Sequence, residues 1–137
     1  MNKKRVLITG ASGFIGQFVL REIVKNEKLD FFTIDTREIP NIDTKKQELV
    51  SLLDKEKLTE VIKKYSPDIV VHLAAIASVT HENIGEIYNV NVQGTENLLE
   101  IIHDYCNKDT RVILASTAGV YGNQEVERYK EDLPYIP

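Results

Sequence analysis

The sequence predicts an α/β fold built on a doubly wound parallel sheet, and three observations carry that expectation. Short apolar runs rich in β-branched residues alternate with segments whose apolar residues recur at helical spacing. The runs are apolar at every position, so both faces of each strand have to be covered, as they are in βαβ units. The 137 residues contain no internal repeat, low-complexity stretch or linker, so one domain with one sheet is expected.

The elements follow in order. Arg5 to Thr9 holds Val6-Leu7-Ile8 and reads as a buried strand that Gly10 ends. Phe14, Ile15, Phe18, Val19, Ile23 and Val24 then recur at helical spacing, predicting a helix from about Gly13 to Asn26. Phe31 to Ile34 is the second strand and stops at Asp35. Thr36 to Lys46 is polar, contains Pro40 and reads as loop. Glu48 to Leu53 is a third strand. Asp54 is placed to cap the next helix, because its carboxylate can accept a bond from a free backbone N–H. Leu58, Val61, Ile62 and Tyr65 give that helix an apolar stripe, and Ser66-Pro67 stops it. Ile69 to Leu73 is a further apolar strand. A long helix is expected from about Ile84 to Tyr105, its stripe including Val92, Leu98, Leu99, Ile102 and Cys106. Val112-Ile113-Leu114 is the last clear strand, and from Tyr121 onward the pattern fades into a polar tail.

Bulk properties narrow the function. With 42% hydrophobic and 28% charged residues the balance is that of a soluble globular domain. A formal charge of −4 provides no general basic field, so no nucleic-acid partner is expected. The single cysteine, Cys106, excludes an internal disulfide and a multi-cysteine zinc site, and its helical setting suggests a small core residue. No apolar run approaches the roughly 20 residues that span a bilayer, and the stretch after Lys3-Lys4-Arg5 is too short for a signal-peptide core. No membrane partner and a cytoplasmic location are therefore expected.

The chemistry-bearing feature is Gly10-Ala11-Ser12-Gly13-Phe14-Ile15-Gly16, between a strand and a helix. Gly10 permits a tight turn, Gly13 permits close approach of backbone to a phosphate, and Gly16 permits close helix packing. Free N–H groups and the positive dipole at the helix start suit a pyrophosphate. Asp35 stands at the end of the second strand, where an acid can accept hydrogen bonds from ribose hydroxyls. This is a Rossmann-type dinucleotide site. The charge of Asp35 favours NAD over NADP, although Arg37 lies two residues on and can attract a 2′-phosphate.

These residues resemble the extended short-chain dehydrogenases/reductases, the NAD-dependent epimerase/dehydratase family. The glycines have its GxxGxxG spacing. His72-Leu73-Ala74-Ala75 resembles its fourth-strand motif. Asn91-Val92-Gln93-Gly94-Thr95-Glu96-Asn97-Leu98-Leu99 is similar to its NxxGTxNLL helix, and Ser116-Thr117-Ala118-Gly119-Val120-Tyr121-Gly122 to its active-site segment. The resemblance covers the whole chain and implies the N-terminal portion of a Rossmann domain. It implies that Phe14 and Ile15 supply backbone N–H groups to the pyrophosphate, and that Thr36, Leu52, Leu73, Ala74, Ala75, Ala77 and Ser116 belong to the cofactor cleft. It implies that Asn91 holds the central strands and the cleft; otherwise it is a polar residue on an exposed helix face. Thr117 matches the catalytic Ser/Thr, whose hydroxyl bonds the substrate oxygen at the carbon that exchanges hydride; otherwise it is a strand-end residue. His72 reads as structural, and His81 and His103 as surface residues.

The resemblance implies a nucleotide-sugar substrate, with epimerisation at C4 of a UDP-sugar as the first expectation and a reductase as the second. The family's tyrosine takes the hydroxyl proton, and a lysine four positions later lowers that tyrosine's pKa. None of the six tyrosines here has such a lysine. Because Glu131 to Pro137 resembles the segment leading into that tyrosine, the chain is expected to end short of its general base and to lack the substrate domain. A truncated NAD-binding module without activity is thus a third expectation, and a homo-oligomer is expected through the apolar surface left uncovered. Ser51 stands where many relatives place an Asp for the adenine. Ala118-Gly119 replace the dehydratases' Asp-Glu, which disfavours dehydration.

Overall fold

The computed structural model describes residues 3–78 and 80–137. Its elements are β1 (Lys4–Thr9), α1 (Phe14–Val24), β2 (Leu29–Asp35), β3 (Gln47–Leu49), α2 (Lys55–Tyr65), β4 (Ile69–His72), α3 (Ile84–Tyr88), a π-helical turn (Asn89–Gln93), α4 (Gly94–Tyr105) and β5 (Arg111–Leu114). Short 3₁₀ turns occupy Thr44–Lys46 and Ala118–Tyr121. All five strands are parallel, in the order β3-β2-β1-β4-β5. The order reverses beside β1, as in a Rossmann sheet, and this leaves a crevice at the carboxyl ends of β1 and β4.

Alternate residues of the strands feed two cores. Val6, Ile8 and Val71 face α1 and meet Leu20 and Ala11. Leu7, Phe32, Ile34 and Val70 face the other way and pack on Leu58, Val61 and Ile62 of α2 and on Leu98, Ile101 and Ile102 of α4. Burial on both faces is why Val6-Leu7-Ile8 of β1 and Ile69-Val70-Val71 of β4 read as unbroken apolar runs. Tyr65 stacks on Phe32 with ring centroids 4.0 Å apart. The cap assignments hold: Asp54 Oδ1 accepts the Lys57 N–H at 3.2 Å, and Ser66 takes the left-handed conformation with φ of 45° just before Pro67.

Three local expectations are corrected. The third strand is Gln47–Leu49 rather than residues 48 to 53. After Leu49 only Val50 continues toward β2, its N–H bonded to the Asp35 carbonyl, and Ser51 to Leu53 turn away to form a wall of the crevice. The helix over 84–105 is continuous but contains the π turn, which inserts a residue and shifts the helical phase. The stripe drawn through Val92 and Leu99 misses the core: Val92 lies in the π turn and is 46% exposed, and Leu99 is 38% exposed, off the face of α4 on which Leu98, Ile101 and Ile102 carry the packing. β5 is covered on one side only. Val112 joins the α2/α4 core, whereas Ile113 is 57% exposed. Cys106 is partly buried against the same core, and burial pushes its thiol pKa up, which suits a packing residue and not a nucleophile.

Leu58 is fully buried at the centre of the larger core. Leu58→Ala is expected to cost about 2–5 kcal/mol, measured by urea unfolding, with the glycine-rich turn after β1 left unaltered in the folded fraction.

Candidate functional site

The glycine turn leaves β1 through Gly10, whose φ is +71°. A Cβ there would meet the backbone N of Ala74 at 2.6 Å, so glycine is required by both conformation and space. Gly16 serves a different contact. A Cβ there would fall 2.2 Å from the Gly10 carbonyl oxygen, so at this point the start of α1 lies directly on the turn it leaves. Gly13 caps α1 with no side-chain bond to the free N–H groups, and its Gly10 neighbour is the nearest atom a Cβ would meet. The first turn of α1 contains no acidic residue, which leaves its positive end uncompensated.

Asp35 ends β2 directly across from this turn. Its Oδ2 accepts the Ser12 N–H at 2.9 Å, and its Oδ1 accepts the N–H groups of Thr36 and Arg37 at 2.8 and 3.3 Å. The carboxylate is 8% exposed. Three of its roughly four lone-pair positions are thus taken, leaving one on the side of the crevice. Asp35 consequently does two things: it ties the glycine turn to β2, and it offers one acceptor to whatever lies in the crevice.

The crevice has two cavities that share a floor. One, of about 450 Å³, lies among Gly10, Gly13, Asp35, Thr36, Leu52 and the floor residues Leu73 to Ile76. The other, of about 400 Å³, lies between that floor, Ala77, Asn91, Ser116 and Thr117. The structure thus brings together the glycine turn, Asp35, Thr36, Leu52, Leu73, Ala74, Ala75, Ala77, Asn91, Ser116 and Thr117. Phe14 and Ile15 begin α1 with exposed side chains, and neither lines either cavity. Gly16 is buried and lines neither cavity. Ser51 lines the first cavity with its hydroxyl accepting the Leu53 N–H at 3.2 Å. Arg37 lines that cavity as well.

Asn91 is an anchor rather than an exposed polar residue. Its Oδ1 accepts the Ile76 N–H at 2.8 Å and its Nδ2 donates to the Ile76 carbonyl at 3.0 Å, clamping the floor. His72 is buried between Thr9 and Thr95. His103 is exposed, and His81 is half-buried and faces Glu86 at 2.9 Å. Thr117 is exposed and caps the 3₁₀ turn by accepting the Gly119 N–H at 3.1 Å, which leaves its hydroxyl proton free to donate into the cavity.

Sequence reasoning missed three residues of this scaffold. Asn97 is buried and donates to the Leu52 carbonyl at 3.0 Å. Gly94 admits Leu52, whose Cβ would lie 2.9 Å from a Cβ at that position. Thr9 reaches His72 from the end of β1. The available signal was polarity in the wrong place: Thr9 closes an apolar strand, and Asn97 lies on the buried face of a helix.

Comparison with known proteins matches residues 6–137 to the NAD dependent epimerase/dehydratase family. GDP-6-deoxy-D-talose 4-dehydrogenase of Aggregatibacter actinomycetemcomitans is 36% identical over 97% of this chain and 42% of its own length. UDP-glucose 4-epimerase of Mycoplasma genitalium is 34% identical over 96% of this chain and 41% of its own. The solved structure of UDP-glucose 4-epimerase from Thermus thermophilus in complex with NAD superposes with a TM-score of 0.83. It is 33% identical, covering 97% of this chain and 44% of that one. The chain thus spans about two-fifths of the length of these relatives.

Asn91→Ala removes both bonds to Ile76 and leaves two partly buried backbone groups unsatisfied. It is expected to cost about 1–3 kcal/mol in urea unfolding and to raise the amide exchange rate of Ile76 above that of the β-sheet amides.

Proposed function

This chain belongs to the NAD dependent epimerase/dehydratase family, and we propose that it is the cofactor-holding portion of a nucleotide-sugar epimerase acting at C4 of a UDP-sugar. The observation that carries the proposal is the juxtaposition of the Gly13 end of α1, which has no side-chain cap, with Asp35, beside a cavity whose floor includes Ala74 and Ala75. That set fits a dinucleotide: N–H groups for the pyrophosphate, one carboxylate acceptor for the adenosine ribose, and Ala74 and Ala75 where bulk would block the cleft. Bound NAD would supply a reversible hydride acceptor. Phe14 and Ile15 would contribute backbone donors, and Ser51 to Leu53 would wall the adenine end. Thr117, in the second cavity, would donate its hydroxyl proton to the substrate oxygen at the reacting carbon.

Ala118 and Gly119 carry no acid or base, so the reading favours epimerisation or reduction over water elimination. A nucleotide-sugar reductase is the alternative within enzymes. A second reading of another kind rests on a specific observation. No tyrosine in these 137 residues has a lysine four positions later, so the residues in hand would hold NAD without turning over sugar. Assay of the purified protein with UDP-glucose separates the two, since any epimerisation by homogeneous protein excludes the binding-only reading.

The cofactor proposal is tested by fluorescence titration with NADH and NADPH. NADH is expected to bind more tightly, because the Asp35 charge opposes a 2′-phosphate. Affinity for NADPH equal to or above that for NADH would overturn the NAD preference. Asp35→Ala, which removes the ribose acceptor and the tie to Ser12, is expected to weaken NADH by about tenfold or more. Self-association is proposed through the uncovered face that carries Ile113; a monodisperse monomer in light scattering at high concentration would count against it.

A further inference from the structure

The side chains beneath the crevice floor form a hydrogen-bond row whose direction is determined by its two ends. At one end, Thr95 Oγ1 lies 2.7 Å from the Asn91 carbonyl oxygen, which can only accept, so the Thr95 proton is committed there. Toward His72 Nε2, 2.9 Å away, Thr95 can then only accept, and Nε2 must carry hydrogen. In a neutral ring Nδ1 is left bare, and it accepts from Thr9 Oγ1 at 2.6 Å. Thr9 in turn accepts the Ala74 N–H at 3.3 Å, at the other end of the row. The row starts at Ala74 and ends at Asn91, whose side chain clamps Ile76, so it runs under the whole floor.

We propose that His72 is a positioning residue for the crevice: as the neutral Nε2–H tautomer it links Thr9, Thr95 and Asn91 into one directed row that holds residues 74–76 in place, and its protonation releases them. The proposal rests on the dinucleotide reading only for what the crevice holds. Protonating Nδ1 sets a donor against Thr9 and leaves the Thr9 hydroxyl proton with no acceptor in the row. It also places a charge where nothing compensates it. Thr9 from β1, Asn91 and Thr95 from the long helix, and Leu114 to Thr117 after β5 face His72 and its cavity, and none of them is charged. Burial accordingly holds the imidazole below its ordinary pKa of about 6.5. With the folded value below the unfolded one, the row contributes its full stability above about pH 6.5 and loses it as pH falls through the folded value.

The experiment follows the ¹⁵N-labelled protein by NMR from pH 8 to pH 5, resolving the three histidines separately, alongside NAD binding by calorimetry over the same range. His72 is expected to be the Nε2–H tautomer at pH 8. The Ala74 and Ile76 amides are expected to shift with the His72 midpoint, and NAD affinity to fall about tenfold or more with them. Thr95→Val, which deprives Nε2–H of its acceptor without changing side-chain shape, is expected to abolish the tautomer preference and weaken NAD at pH 8, and Thr95→Ser to restore both. An Nδ1–H tautomer, floor amides indifferent to His72, or affinity flat from pH 8 to pH 5 would overturn the proposal. Tautomer and coupled shifts without NAD binding at any pH would support the positioning role and overturn the cofactor reading alone.

Discussion

The crevice depends on the close approach of Gly10 to the backbone of Ala74, where the carboxyl ends of β1 and β4 meet beside the point at which strand order reverses. Any side chain at Gly10 would push these two backbones apart, and the glycine turn and the floor would separate. The same residue also admits Gly16 against its carbonyl, so the start of α1 is seated on the turn it leaves. The position of the helix N-terminus relative to the floor is therefore set by backbone contact. This is a stiffer constraint than side-chain packing, because neither partner has rotamers through which to relax.

Around that contact, polar side chains act as ties between elements distant in sequence. Asp35 joins β2 to the turn, Asn91 joins the long helix to the floor, Asn97 joins it to the wall at Leu52, and His72 joins β1 and β4 to Thr95. The π turn is what lets one helix make several of these ties. It sets the phase at which Asn91 meets Ile76 relative to α4, on which Thr95 reaches His72 while Leu98, Ile101 and Ile102 stay in the core. An unbroken α-helix through the same residues would rotate one set away from its partners. The irregular turn and the cleft geometry are thus one feature.

The crevice divides into two cavities over a shared floor. One cavity gathers the N–H groups and the carboxylate that suit a dinucleotide's phosphates and ribose, and the other gathers Ser116 and Thr117. Ala74 and Ala75 leave room above the floor. β5 is the less finished side of the sheet, with Ile113 exposed on the α1 face, beyond the part that α1 covers.

Much of this was determined by sequence alone. The apolar runs locate β1, β2, β4 and β5, the stripe locates α2 with its Asp54 cap and Ser66-Pro67 stop, and the glycine spacing locates the turn from β1 into α1. These are local signals: period, turn chemistry and charge act within a few residues of one another. What only the tertiary structure decided is longer in range. The exposure of Val92 follows from the inserted turn, and that of Leu99 from the face of α4 that Leu98, Ile101 and Ile102 turn to the core. β3 ends early because, after Val50 bonds to β2, Leu52 is held against Gly94 and Asn97 of α4. The roles of Thr9, Thr95 and Asn97 follow from hydrogen bonds spanning between 23 and 63 residues of chain. No pattern within a window carries such pairings, because they are selected by which buried polar atoms would otherwise lack a partner once the sheet and helices have packed.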